Sequence, residues 1–385
     1  MLSTNWAVGQ PGHTAEHNAI SKRLLDMPTV MDYGAKGDGA TDDTLAIQTA
    51  LDAAVNGKSL RMPPRVYCIA STLYPRDYLR WEGVRAETDL TGSTLKWVGE
   101  QGVPMVWLRG THGVIIDGVN LNGANTPNLT GYRIDSNNAP TSSRNTIRNF
   151  SARHFGNAAK NIQGEAIHLG DRLITEPQTQ YQSDGIILDN FHIADAHTGI
   201  YVDSNNVDFT TFHHFAMYYI KYGIYFSRAG YIDTSHGTFG VVQGGSFIHV
   251  EGSHGVLRFC QIQGEQGDGN FLTVSNAVTT SVPILLESST IDLPIDIQAN
   301  RRFISIGNRY NADLILSGSD THVISMYDDF TGSFAIKPNG QNSKVIQLDP
   351  LQIVVSEYAD NAAALAGGLK VGQAYRTGDL LKVVH

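Results

Sequence analysis

FHIADAHTGIYV at 191–202, FAMYYIKYGIYF at 215–226 and FGVVQGGSFIHV at 239–250 are three versions of one phrase, each starting 24 residues after the last. At that offset Phe191, Phe215 and Phe239 align, then Ile193, Met217 and Val241, then Ile200, Ile224, Ile248 and Leu272. Val202, Phe226, Val250 and Val274 follow two residues later. These apolar positions alternate with Tyr201, Tyr225, His249 and Thr273, the two-residue period of a strand with one face inward and one outward. A coil with so short an apolar row cannot bury it alone, whereas stacked coils bury it continuously.

Outward from this centre, Ile295 and Ile297 continue the column at an offset of 23, and Ile167 and Leu169 precede it at 33. The longer interval holds DRLITEPQTQYQSD at 171–184, a polar insertion expected to bulge from a coil corner. Leucine-rich repeats share the period but need an LxxLxL pattern that is absent, and a propeller blade is roughly twice as long. The pattern therefore predicts an all-β fold, a right-handed single-stranded parallel β-helix over 84–330. At this period that length gives roughly ten coils.

The flanks read differently. Within 1–30, TAEHNAISKRLL from Thr14 to Leu25 predicts a short helix capped by Thr14, with Ile20 and Leu24 on one face. Within 31–83, a Gly-rich loop leads into a helix with Thr41 or Asp42 near its N-cap and Ile47, Ala50, Leu51 and Ala54 on one stripe. Such a helix suits the open end of a solenoid. Within 331–385, an Ala-rich start, the Gly367-Gly368 turn and alternation from Tyr375 to Val384 predict a small cap or assembly element.

Composition narrows the function. Against 37 Asp and Glu stand 28 Lys and Arg, a net charge of −9 with no basic stretch, which argues against nucleic-acid binding. No run of eighteen apolar residues predicts membrane insertion, and the first thirty residues lack a signal-peptide core. Cys68 and Cys260 are far apart and in no metal-ligand spacing, so neither a disulfide framework nor a metal or other cofactor is expected.

DYGAKGDGATDDTLAIQTALDAA at 32–54, followed by LRMPPRVYCIASTL at 60–73, resembles the N-terminal opening of the pectate-lyase-like β-helix superfamily, widely used in bacteriophage tailspikes. WAVGQPGHTAEHNAISKRL near the start and GGLKVGQAYRTGDLLKVV at 367–384 are similar to the ends of phage tail and structural proteins. The resemblance implies a homotrimeric virion protein of the tailspike or tail-fibre kind. Its N-terminus would join other tail or baseplate proteins, and its coils would face a host cell-surface glycan.

Two outward ladders are then the place for chemistry: His168, Tyr201, Tyr225, His249 and Thr273, and one step on Gly170, Asp203, Ser227, Glu251 and Ser275. Asp203 and Glu251, two coils apart, have backbones roughly 9.6 Å from each other. Carboxyl groups about 6.5–9.5 Å apart suit inverting glycoside hydrolysis, so this pair is the candidate acid and base, with His168, Tyr201, Tyr225 and His249 as glycan contacts or as an interface with a neighbouring subunit. Asp184, Asp189, Asp208 and Asp233 fit corner turns equally well. Glu165 with His168 makes a proton-transfer pair only if the strand bends toward both. Calcium-dependent lyase chemistry is disfavoured because no acidic cluster accompanies a basic residue on the ladders, and the SHG repeats at 235–237 and 253–255 read as corners. Three functions stay open: a glycan depolymerase, a non-enzymatic virion protein, and a secreted glycan enzyme.

Overall fold

A computed structural model describes residues 27–331, except 56, 87–91, 137–140, 171–182, 205, 254, 276–282, 299–301 and 319–320, and shorter segments within 336–383. The helix expected at Thr14–Leu25 and most of the 171–184 insertion lie outside the described residues. Among those residues, 26 strands join one sheet whose named pairings are all parallel, and a separate antiparallel pair closes the chain. This is a parallel β-helix, in the right-handed sense that crossovers between parallel strands take.

Stacking starts earlier and ends later than the sequence pattern suggests. Asp38–Asp42 already pairs with Val66–Ile69, and His322–Met326 still pairs with Lys344–Leu348. The coil length also varies. Ile147 lies opposite Leu188 and Ile167 opposite Ile200, whereas Ile284 lies opposite Phe303 and Ile295 opposite Leu314. The 24-residue coil is the middle of a solenoid whose corner loops shrink toward the C-terminal end.

In that middle, Phe191 opposes Phe215, and Ile200, Ile224, Ile248 and Leu272 form the expected column. Two expected alignments are wrong. Phe215 opposes Gly237 rather than Phe239, and Met217 opposes Phe239 rather than Val241. The cause is the Phe215 ring, which lies so close to Gly237 that a Cβ there would sit 2.0 Å from its Cζ. The two-residue difference is made up after Val242, where the Gln243-Gly244-Gly245 corner turns with Gly244 at a φ of +68° before Ser246 regains register with Tyr222.

Aromatic rings run through the core. Phe150 stacks on Phe191 at 5.4 Å and Phe191 on Phe215 at 5.3 Å, after which Phe239 meets Phe215 edge-on and stacks on Phe247. All five are buried, each contributing about 1.5–3 kcal/mol from burial. A second regularity marks one corner: Asn149, Asn190, His214, His236, Gln261 and Ser288 all have φ near +50°. Asn190 Nδ2 donates to Asn149 Oδ1 at 2.6 Å, so the side chains bridge coils while the backbone turns. His236 is the middle of the first SHG, which is a corner as expected.

The capping helix, α1, runs Thr44–Ala53, with Ile47, Ala50 and Leu51 buried in the same cluster as the first coils. Its N-cap is Asp43, one residue beyond the expected positions, because two carboxylates divide the work. Asp42 accepts from Thr44 N at 3.0 Å, while Asp43 reaches back to Lys36 N and Gly37 N at 2.6 and 2.9 Å and holds the Gly-rich loop. After the solenoid, a helix at Asn361–Ala366 and a hairpin of Ala374–Thr377 with Leu380–Val383 form the terminal element.

Candidate functional site

The outward ladder follows from a bend repeated in successive coils. In Glu165–His168, Tyr222–Tyr225, Ser246–His249 and Asn270–Thr273, the two middle residues are both buried. Two consecutive inward residues break the strand alternation, so the outer pair, three apart, converges on the outside instead of diverging to opposite faces. The contacts show it. His168 Nδ1 lies 2.7 Å from Glu165 Oε2, the Tyr222 and Tyr225 rings meet at 5.1 Å, and Asn270 Nδ2 donates to Thr273 Oγ1 at 3.1 Å. The condition set for a Glu165–His168 pair is thereby met.

Across coils, His168 pairs with Tyr201, Tyr201 with Tyr225 and Tyr225 with His249, as expected. Their ring centroids are 5.1, 5.3 and 4.5 Å apart. That is close to the spacing of adjacent strands, about 4.8 Å. The rings stand in a file whose His168 end is buried, so the edges and hydroxyls of Tyr201 and Tyr225, more than their faces, are offered to a ligand. A groove of about 340 Å³ runs beside them, lined among others by Gln163, Glu165, Thr198, Tyr201, Tyr222 and Tyr225.

Charge within the groove is arranged by burial. The Tyr225 hydroxyl donates to Glu251 Oε1, and burial, then that bond and the charge behind it, push the phenol above the usual tyrosine range. Tyr225 is therefore a protonated donor at neutral pH. Burial also lowers the His249 pKa against the opposing pull of Glu251, so its 3.9 Å approach to Glu251 is no ion pair at neutral pH. His197 is lowered by burial and by the charge of Lys221, whose Nζ donates to Asn161 Oδ1 at 2.7 Å. Among the described residues no group of three His, Cys, Asp or Glu is placed to hold a metal.

The second ladder departs from expectation. Asp203 opposes Arg228, not Ser227, because the register slips after Val202. It is 5% exposed and so sits in the wall, whereas Glu251 stays half-buried against the Tyr225 hydroxyl. The other acidic groups hold structure. Asp208 Oδ1 accepts from Tyr231 N at 2.8 Å, Asp184 Oδ1 from Asp208 N at 3.3 Å, and Asp233 pairs with Arg258 at 2.9 Å. Asp189 accepts from His214 Nδ1 at 2.9 Å. Tyr222 belongs to the groove and escaped notice in the sequence. The signal was there: a small or apolar doublet, Gly223-Ile224, between two outward tyrosines.

Fold and site together define a parallel β-helix with its polar and aromatic residues set along one wall. Residues 28–225 match the family described as rhamnogalacturonase A/epimerase, pectate lyase-like, and the chain belongs to that family. No curated protein matches the sequence.

Among solved structures, ORF18 of Geobacillus virus E2 is similar with a TM-score of 0.54 at 14% identity, over 90% of this chain and 66% of that one. The tailspike gp49 of Acinetobacter baumannii bacteriophage Fri1, a capsular polysaccharide depolymerase, gives 0.54 at 10% identity, over 81% of this chain and 63% of that one. The A-module of mannuronan C-5 epimerase AlgE4 from Azotobacter vinelandii gives 0.50 at 15%, over 84% and 97%. At such identities the likeness is one of fold.

Proposed function

We propose that this chain is a virion-borne glycan-binding protein of the tailspike or tail-fibre kind. It would work as a homotrimer, joined to other tail or baseplate proteins through residues 1–30 and meeting a host surface polysaccharide along the groove. The observation that carries this reading is the file His168, Tyr201, Tyr225, His249, with Glu165, Lys221 and Glu251 at its rim. Apolar ring edges flanked by fixed donors and acceptors suit a hydroxyl-rich chain, which offers apolar C–H patches between its polar groups. The viral proteins of similar fold lend support by analogy only.

Binding of the full chain to a panel of bacterial capsular and O-antigen polysaccharides tests it. Tyr225→Ala is expected to weaken binding about tenfold, the size of one lost aromatic contact. Should Tyr225→Ala instead break the oligomer in sedimentation, with no glycan bound by the parent protein, the file is a subunit interface. A chain lacking residues 1–26, which keeps Thr29 and Val30 packed on the first coil, is expected to stay folded yet fail to join particles, and normal incorporation would refute the anchor.

Cleavage of the bound glycan is a second reading, favoured by the 2.7 Å Glu165–His168 contact. Such a pair can relay a proton, the carboxylate fixing the imidazole tautomer. Asp203 and Glu251 stand as the alternative pair.

A further inference from the structure

We infer that the glycan-contacting file continues beyond His168 to a second subsite centred on Trp107, so that the ligand is a long chain lying along the solenoid and not a short oligosaccharide. This deepens the proposed glycan binding and rests on it. The strand register carries the first part. His168 opposes Arg133, and Arg133 opposes Trp107, so Trp107, Arg133, His168, Tyr201, Tyr225 and His249 are one column on successive coils, half-buried at the surface except for His168, which is buried between Arg133 and Tyr201. Five steps of about 4.8 Å make that column roughly 24 Å long.

The second part is how Trp107 is held. Its indole Nε1 donates to Asp135 Oδ1 at 2.8 Å, and Asp135, fully buried, also accepts from Arg133 Nε. The Arg133 guanidinium lies 4.8 Å from the Trp107 ring centroid and that of Arg109 5.3 Å, while the Tyr74 ring approaches at 6.0 Å. A buried carboxylate that fixes a ring and a guanidinium together gives a rigid, half-exposed platform. Packing alone does not ask for this, since Trp81 and Trp97, on the other two strands of the same coil, are simply buried. Beside Trp107 opens a cleft of about 560 Å³, larger than the central groove, lined by Tyr74, Arg76, Asp77 and Arg109 among others. Aromatic surface with Arg and Asp side chains at its rim is the chemistry that meets sugar hydroxyls.

Trp107 is also the one tryptophan among the described residues that reaches solvent, so it reports on its own occupancy. The test uses the full chain and the same bacterial polysaccharides, partly hydrolysed and sorted by length, with tryptophan emission read alongside affinity. Long fractions are expected to change the emission and short ones not. Trp107→Phe should abolish the emission change and weaken long fractions about tenfold while leaving short ones unchanged, and Tyr225→Ala should weaken both. Arg109→Ala, at an exposed rim position, should weaken long fractions without touching the fold. Long-fraction affinity unchanged in both Trp107→Phe and Arg109→Ala overturns the second subsite and leaves the central groove standing. No binding by the parent protein, or none lost in Tyr225→Ala, overturns the glycan reading itself.

Discussion

Gly237→Ala separates the register seen in the fold from the one the sequence repeat suggests. In the fold Gly237 lies opposite Phe215, and the added Cβ would stand 2.0, 2.4 and 2.5 Å from three atoms of that ring. Carbon atoms are comfortable at roughly 3.5–4.0 Å, so the overlap is about 1.5 Å. Phe215 cannot yield freely, because it is buried and stacked on Phe191 at 5.3 Å with 14° between planes. Overpacking of this kind costs about 1–3 kcal/mol, and partial loss of the ring stack brings the expected destabilisation to about 2–4 kcal/mol. With the uniform 24-residue spacing, Gly237 would instead oppose His213 on the outside. There the methyl would stabilise by about 0.4–1 kcal/mol through the unfolded chain. Urea unfolding followed by far-UV circular dichroism gives the sign, and amide exchange over Ile232–Val250 shows whether the weakened coil is this one. Phe215→Leu in the same chain should restore part of the loss. A Gly237→Ala protein as stable as its parent, or more so, would refute the register argument.

Two further outcomes follow from the same geometry. Burial, then the charges of Arg153 and Arg85, lower the His192 pKa from 6.5 to about 4, so the unfolded chain takes up this proton first as pH falls. Its share of stability is complete above 6.5 and is lost between 6.5 and 4; His192→Asn should flatten stability over that window, and an unchanged acid limb would count against the buried neutral imidazole. If the protein cleaves its glycan through Glu165 and His168, Glu165→Gln should slow release of reducing ends by about 10²–10⁴ while binding persists. Full release by Glu165→Gln together with loss in Asp203→Asn and Glu251→Gln would pass the chemistry to that pair.

Some of this was legible in residues alone and some was not. Like residues at like offsets, from Ile200 to Leu272, report a stacked solenoid because burial acts on each coil in the same way. The outward run His168, Tyr201, Tyr225, His249 follows from strand alternation on those columns. What offsets miss is any change of coil length, and here the misleading cue was a phenylalanine: Phe239 matches Phe215 in sequence, but the ring of Phe215 needs the space above Gly237. Asp203 was misread for a related reason, since a slip after Val202 turns it into the wall beside Arg228.

The sequence by itself determined the fold class, the inward column from Ile200 to Leu272, the capping helix and the central file of rings, because each is written in local periodicity and side-chain type. Only the tertiary structure decided what those rings belong to. Coils of unequal length bring Trp107 and Arg133 into line with His168 although 26 and 35 residues separate neighbours in that column, and no fixed offset could have found them. The bend that joins Glu165 to His168 shows in the sequence only as the doublet Ala166-Ile167, and its closure depends on two adjacent side chains both finding room in a core built by other coils.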